Sequence, residues 1–160
     1  MTARTVNQTM SGAVLAISAT LPATYDAAGY AATGLVYTTV GQIENFGNHG
    51  VKKNVTEFTP VADAVVQSYA GSKNYGTKSL TIGHLPGDEG QVILKAASES
   101  TARYSVKITY PTGVGESTAE IQYLDVLVTS FEYQDGAVED VRKILTDMKV
   151  CRAPVVVAAT

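Results

Sequence analysis

The sequence is poor in cysteine and lacks tryptophan. Only one of its 160 residues is a cysteine, Cys151, and none is a tryptophan. A single cysteine excludes an internal disulfide, and with it the disulfide-rich scaffolds of many small secreted domains. The fold must therefore be held by a hydrophobic core, for which a chain with 45% hydrophobic residues has enough material.

Positive charge is also scarce. The chain carries 12 Lys and Arg residues against 15 Asp and Glu residues, which gives a net charge of −3 and an isoelectric point of about 5.3. Domains that bind nucleic acid usually present a basic surface and have an isoelectric point above about 9. The composition therefore argues against tight binding to phosphate groups.

Long apolar runs are missing as well. No run approaches the roughly 20 residues that a transmembrane helix needs. The stretch SGAVLAISATLPA has an apolar centre, AVLAI, that is shorter than the roughly 7–15 apolar residues of a secretory signal. We therefore expect a protein that is made in the cytoplasm, is not processed and does not span a membrane.

The sequence has no recognisable catalytic pattern. Its two histidines, His49 and His84, have neither an i, i+4 partner nor the Cys-x-x-Cys company of a metal site. No Gly-x-Ser-x-Gly or Gly-x-x-x-x-Gly-Lys motif supplies a nucleophile or a phosphate-binding loop. The sequence predicts no catalytic residue, no metal and no cofactor.

The sequence does contain a series of β-strand patterns. Alternating or β-rich segments occur at 13–18, 35–46, 73–85 and 102–110. The segment 119–134 is also β-rich, but its centre is almost continuously apolar, as expected for a strand with both faces covered. Together these segments predict a mainly β protein.

A second long strand is predicted to follow a tight turn. Asp135-Gly136 is a strong signal for a two-residue hairpin, so 137–150 is interpreted as the partner strand of 119–134. Hydrophobic residues in 137–150 also recur at helical spacing, which leaves a helix as the alternative. The hairpin context favours the strand.

One helix, predicted at 88–101, interrupts the strands. Asp88 and Gln91 match a helix-capping pattern, and Gln91 is expected on the polar face. An apolar stripe suited to covering a sheet comprises Ile93, Leu94 and Ala97. Val92 and Ala96 widen this stripe, which indicates either contact with a second subunit or contact with a loop of the same chain.

The order of strands, one helix and more strands predicts an antiparallel β-sandwich or barrel with one α-helix packed on the sheet. Two segments do not fit its core. The segment 21–34 contains Pro, Asp and Gly residues typical of a loop. The segment 44–62 includes a strand pattern in which both faces mix polar and apolar residues, so we expect an arm or long loop that needs a partner.

Three motifs carry a resemblance. They are the run Pro-Gly-Asp-Glu-Gly-Gln before an Ala-rich helix, the strand LVTSFEYQ ending in Asp-Gly, and the terminal Ala-Pro-Val. In combination, over roughly 40–160 and with the strand SGAVLAIS, they resemble the major tail tube proteins of long, non-contractile-tailed bacteriophages. The segment 21–34 departs from the family by being longer and richer in Ala and Tyr, and the resemblance assigns it no role.

The resemblance implies a single tail tube domain over 1–160. Copies of the domain would form hexameric rings, in which the sheets join edge to edge, and the rings would stack into a tube. The parts of the domain would be an inter-ring loop at 44–62, the helix at 88–101, a long hairpin at 119–150 and a C-terminal arm at 151–160.

The resemblance also implies partners and a location. The chain would bind copies of itself, surround a tape-measure protein, and meet a tail tip or distal tail protein and a tail terminator at the tube ends. Double-stranded DNA would pass through the lumen transiently, without specific binding. The protein would be assembled in the cytoplasm of a bacterial host and would reside in the virion tail.

Three groups of residues are predicted to form assembly surfaces. Inter-ring contacts are assigned to Glu44, Phe46, His49, Lys52, Lys53, Glu57 and Phe58. Packing of the helix on the sheet and on neighbouring subunits is assigned to Val92, Ile93, Leu94, Ala96 and Ala97. The candidate lumen face of strand 137–150 carries Glu139, Lys143, Asp147 and Lys149.

Three other functions stay open. A ring-forming tube protein of a secretion or contractile injection system would have a similar fold. A carbohydrate-binding or adhesive β-sandwich would be monomeric and would expose aromatic residues, for which the nine tyrosines are candidates. An enzyme with an unrecognised site is the third. Self-assembly separates the tube proteins from the other two.

Overall fold

The computed structural model describes residues 9–160, which fold around one large antiparallel sheet. The strands are β1 (Val14–Ser18), β2 (Thr38–Thr39), β3 (Ile43–Asn45), β4 (Lys52–Phe58), β5 (Gln67–Asn74), β6 (Thr77–Gly83), β7 (Tyr104–Thr109), β8 (Ile121–Gln134), β9 (Lys143–Val150) and β10 (Val155–Val157). The helices are α1 (Ala27–Tyr30) and α2 (Glu89–Glu99). Eight strands form the main sheet, while β4 and β5 form a separate hairpin.

The main sheet curls into a barrel-like shape, because its two edge strands are consecutive in the chain. The strand order is β2-β1-β7-β8-β9-β6-β3, with β10 paired to one end of β8. Only residues 40–42 separate β2 from β3, so the two edges lie at most about 14 Å apart. This connector bonds to both neighbours: the Val40 N–H donates to the Leu15 carbonyl, and the Gly83 N–H donates to the Gln42 carbonyl.

The core lies inside the curl and beneath α2. Its fully or almost fully buried members are Leu15, Ile17, Val40, Leu80, Ile82, Leu94, Ala97, Val106, Ile108, Leu124, Val126, Val128, Ile144, Met148 and Val150. Burial alternates along β6 and β9, whereas β8 is buried on both faces from Tyr123 to Val126. The prediction of a mainly β, antiparallel fold with a helix packed on the sheet is confirmed.

The first turn of α2 is fixed to the connector between β2 and β3. Asp88 is the N-cap, as predicted, and its carboxylate accepts hydrogen bonds from the backbone N–H groups of Gln91 (3.0 Å) and Gly41 (3.3 Å). The prediction that Gln91 lies on the polar face is wrong. Its side chain is buried beneath the helix, where the amide group is satisfied by donating hydrogen bonds to the carbonyls of Gly41 and Gly83. The helix therefore covers the seam where the two edges of the sheet meet.

The long hairpin is present, but its turn differs from the prediction. β8 and β9 pair as far as Gln134 opposite Lys143, which confirms the strand interpretation for 143–150. The predicted two-residue turn at 135–136 is wrong, since residues 135–142 form an eight-residue connection. Within that connection the Asp140 carboxylate accepts a hydrogen bond from the backbone N–H of Ala137. This contact satisfies a backbone donor inside the loop, so no tight two-residue turn is needed.

The segment to which the sequence assigned no role packs on the outside of the sheet. It contains the short helix α1, which the loop prediction for 21–34 missed. Tyr30 is buried and stacks on Tyr123 of β8, with ring centroids 5.2 Å apart and an interplanar angle of 11°. Burial raises the pKa of Tyr30 to about 12. Residues 21–37 thus form a small second layer held by tyrosine packing.

Candidate assembly surfaces

The hairpin of β4 and β5, here called the arm (52–74), extends from the barrel. Every residue of both strands is exposed, and within residues 9–160 the two strands pair only with each other. At about 3.3 Å per residue, the seven residues of β4 span about 20 Å. Because an isolated two-stranded hairpin is at best marginally stable in water, we expect the arm to pack on another surface.

One face of the arm is aromatic. Phe58 lies opposite Gln67 and Thr56 lies opposite Tyr69, so Phe58 and Tyr69 are diagonal neighbours on the same face. Their side chains are 58% and 54% exposed. Large apolar side chains that are exposed together are typical of a protein-binding surface.

Charge is distributed unevenly along the arm. Its root, where it joins the barrel, carries Lys52, Lys53 and Lys73. The distal part carries only Glu57 and Asp63. The arm is therefore basic at its root and acidic towards its tip, which comprises residues 59–66.

The predicted inter-ring residues divide between the arm and the barrel. Those on the exposed arm are Lys52, Lys53, Glu57 and Phe58. Phe46 packs against the core, and Glu44 forms an ion pair with Lys143 at 2.7 Å. The extending segment therefore spans 52–74 rather than 44–62, because β3 belongs to the main sheet and β5 supplies the second strand of the arm.

His49 attaches the root of the arm to the barrel. Its Nε2 lies 2.6 Å from Oε1 of Gln122, and its Nδ1 lies 3.3 Å from Nζ of Lys78. Lys78 is only 1% exposed, and burial lowers the pKa of its ammonium group to about 8. Burial also lowers the pKa of His49, and the nearby Lys78 lowers it further. The second strand of the arm is attached by a hydrogen bond from Lys149 to Asn74.

The five predicted helix residues fall on two sides of α2. Leu94 and Ala97 are fully buried, and Ile93 packs against the core cluster. Val92 and Ala96 are exposed, Val92 by 60%. No loop within residues 9–160 covers these two side chains, and their contact with a second subunit stays a prediction.

Three of the four predicted lumen residues lie together on the face of β9 that points away from the core. They are Lys143, Asp147 and Lys149, which alternate with the buried residues of the strand. Glu139 does not join them, because it lies in the connection 135–142, before β9 begins. Exposed β8 residues of the same outward face include Glu132, which pairs opposite Leu145.

The charges of this outward face have local partners. The contacts are Ser79 with Asp147, Glu44 with Lys143, and Asn74 with Lys149. The face therefore presents polar rows across β6, β9 and β8 without a continuous stripe of one charge.

A buried ion cluster, which sequence reasoning missed, holds the end of the chain against the sheet. The side chain of Asp125 is fully buried, with Oδ2 3.4 Å from Arg103 and 3.2 Å from Arg152. The Arg152 guanidinium lies 3.8 Å from the centre of the Tyr25 ring. Residues 155–157 form β10 on the edge of β8, so the predicted C-terminal arm is partly a strand of the main sheet.

No group of three or more His, Cys, Asp or Glu side chains within residues 9–160 is arranged to hold a metal ion. In the same range, no helix has the length and hydropathy needed to cross a membrane. The distinctive surfaces of the described chain are the arm, the exposed flank of α2 and the outward face of β9.

Comparisons with known proteins identify the fold. No protein-family model matches the sequence, and no curated protein matches it. A chain in the anti-feeding prophage baseplate superposes with a TM-score of 0.67 at 12% identity, covering 99% of this chain and 98% of that one. A chain in the sheath/tube terminator of the PVC extracellular contractile injection system gives 0.67 at 9% identity, covering 96% and 98%.

A phage structure matches as well. The SPP1 tail tube superposes with a TM-score of 0.57 at 14% identity, covering 90% of this chain and 75% of that one. The chain therefore has the fold of tail tube proteins, as the resemblance in its sequence predicted. Since identities this low establish the fold alone, function has to be argued from the surfaces described above.

Proposed function

We propose that this chain is a structural subunit of a tail tube, a role that needs no catalysis. Copies assemble into hexameric rings, the rings stack, and the tube conducts DNA from a phage capsid to the host cell. The observation that carries this proposal is an exposed arm with an aromatic face on a barrel of the tail tube fold.

The energetics of the arm support self-assembly. Burial of one large apolar side chain contributes about 1.5–3 kcal/mol, and association costs at least about 4 kcal/mol. Burial of Phe58 and Tyr69 together with the tip valines Val61, Val65 and Val66 would offset a large part of that cost. In a stacked tube each subunit both donates an arm and receives one, so the gain is repeated along the tube.

One edge of the sheet supports ring formation. β10 pairs with β8 along one side, and within residues 9–160 no strand pairs with its other side. This short strand therefore leaves backbone hydrogen-bonding groups without a strand partner. Such edges readily pair with another chain, which is the contact that joins sheets around a ring.

The outward face of β9 is suited to line the lumen. Affinity for duplex DNA rises with each phosphate that a lysine or arginine neutralises. Lys143 and Lys149 are held by Glu44 and Asn74, so this face offers DNA little free positive charge. A tape-measure protein in the lumen and tail tip and terminator proteins at the tube ends complete the proposed partners in the virion.

The tube of a contractile injection system is the second candidate. It is favoured by the match to the anti-feeding prophage and PVC chains over 98% of their length, against 75% for the SPP1 chain. Ring formation and stacking are common to both candidates. They differ in the material that passes through the lumen and in whether a sheath surrounds the tube.

Replacing the arm tests the shared part of the proposal. Residues 52–74 are exchanged for a short Gly-Ser linker, which the geometry allows because Lys52 lies opposite Asn74. The variant should keep its barrel, measured by circular dichroism, and remain monomeric in light scattering at concentrations where the unmodified chain assembles. The control is Val114→Ser, which removes a fully exposed apolar side chain outside the arm. Tubes formed by the armless chain would contradict the proposal.

A further inference from the structure

A groove of about 170 Å³ lies between the start of α2 and the distal part of β8. Three large apolar side chains in it remain exposed: Leu85 by 46%, Val92 by 60% and Tyr133 by 44%. Nδ1 of His84 is buried in its wall and has no hydrogen-bond partner in the described chain. Exposed apolar surface beside an unsatisfied polar atom indicates a contact surface that lacks its partner.

The groove also carries an unpaired positive charge. Lys95 lies in its wall and forms no ion pair within residues 9–160. The other charged wall residue, Asp88, is already used as the helix cap and accepts two backbone hydrogen bonds. A partner that fits this groove is therefore apolar and carries a negative charge.

The tip of the arm has this composition. Val61 is fully exposed, and Val65 and Val66 are 63% and 56% exposed. Asp63 is the only charged residue of the tip and forms no ion pair among the described residues. The tip is thus an apolar, acidic counterpart to the apolar, basic groove.

The arm root and the groove lie at opposite ends of one strand. β6 begins at Thr77, directly after the arm, and ends at Gly83, directly before His84. Seven residues of strand separate them by about 20 Å. A tip that fits a site at the far end of an identical subunit makes a head-to-tail contact, which closes into rings or continues as a filament.

We infer that the groove receives the arm tip of a second copy of this chain. Val61 and Val65 cover Leu85 and Val92, and Asp63 pairs with Lys95. The inference rests on the proposed tube function and adds the surface on which the arm docks. It also gives a role to the exposed side of α2, which the barrel does not need for its own packing.

Disulfide trapping between two single-cysteine chains tests the contact. In a Cys151→Ser background, Val61→Cys chains are mixed with differently tagged Val92→Cys chains, assembled and oxidised. Cysteines form a disulfide only when their Cα atoms come within about 7 Å, so a mixed dimer should form in the tubes and not in dilute monomer. Val114→Cys mixed with Val92→Cys is the matched control and should stay uncrosslinked.

Charge exchange provides the second measurement. Asp63→Lys and Lys95→Asp should each raise the protein concentration needed for assembly about threefold to tenfold, and the double variant should recover most of the loss. Tubes that form without the Val61–Val92 crosslink, with no rescue in the double variant, would overturn the docking assignment alone. Failure of the unsubstituted chain to form any rings or tubes would overturn the proposed function and the inference with it.

Discussion

Nζ of Lys78 lies 3.3 Å from Nδ1 of His49 inside the barrel, and this histidine is the only side-chain hydrogen-bond partner of Lys78 in the described chain. The contact needs a free lone pair on Nδ1, so the imidazole must be neutral, with its proton on Nε2 facing Gln122. A cationic imidazole beside a buried ammonium would be repelled. The buried contact that attaches the arm to the barrel therefore disfavours a second positive charge on His49.

Replacing Lys78 with methionine should stabilise the fold. The substitution removes a buried amine that has no carboxylate partner among the described residues, and the unfolding free energy at pH 7 should rise by about 1–3 kcal/mol. The folded pKa of Lys78 is about 8, against an ordinary value of 10.5. Because the unfolded chain holds this proton more tightly, the destabilisation caused by Lys78 should be complete below about pH 8 and should disappear as the pH rises towards 10.5.

Urea denaturation at pH 7, 9 and 10.5 measures both effects. The advantage of Lys78→Met over the unsubstituted chain should shrink between pH 7 and 10.5. Lys95→Met, at an exposed lysine, is the control, and its difference from the unsubstituted chain should not change with pH. An unchanged pH dependence in Lys78→Met would show that Lys78 is not held in an unfavourable buried site.

Neutralising Asp125 should loosen the end of the chain. Asp125→Asn removes the charge that Arg103 and Arg152 share and should lower the unfolding free energy by about 1–3 kcal/mol, since the two half-exposed arginines regain some solvation. Arg103→Gln should cost less, because Arg152 still pairs with the carboxylate. Hydrogen exchange should show faster opening of β10 in Asp125→Asn, and equal losses in both variants would contradict the shared role of Asp125.

Gly90→Ala separates helix propensity from packing. Alanine in place of glycine favours an isolated helix by about 1 kcal/mol. A Cβ at Gly90 would, however, lie 2.4 Å from the Thr39 carbonyl oxygen and 2.7 Å from Cα of Val40. We expect a net loss of about 2 kcal/mol in thermal or urea unfolding. A stabilised variant would mean that α2 does not press against the connector.

Adding positive charge to the proposed lumen should retain DNA. Glu132→Lys places a free ammonium on the outward face of β8, and tubes of this variant should bind duplex DNA at low salt and release it as salt is raised. Glu99→Lys, at the end of α2, makes the same change in net charge and is the control. Equal DNA binding by both variants in a fluorescence anisotropy titration would remove the assignment of the lumen face.

Elements with strong local patterns could be predicted from the sequence. The alternation in β6 and β9, the continuous apolar centre of β8 and the Asp88 cap of α2 each follow from a short-range rule. The burial of Lys78 could also be predicted in principle, because Lys78 alternates in register with Leu80 and Ile82 and so lies on the same face of β6. The signal is weak, since lysine is a residue type that usually lies at the surface.

The parts that could not be predicted depend on distant contacts. Gln91 lies on the polar side of a helical wheel, yet it is buried, because the distant carbonyls of Gly41 and Gly83 accept the hydrogen bonds of its amide group. The second strand of the arm, 67–74, has no apolar alternation, because neither of its faces meets the core. Asp125 is one acid in an apolar strand, and its partners lie 22 and 27 positions away in the chain.

Electron microscopy of the purified 160-residue chain over a concentration series tests the central claim most directly. Samples are imaged with and without preformed tail tips as seeds, with light scattering in parallel. We expect stacked rings with a hollow lumen, in which the arm bridges successive subunits. A chain that stays monomeric at high concentration, even with seeds, would contradict it.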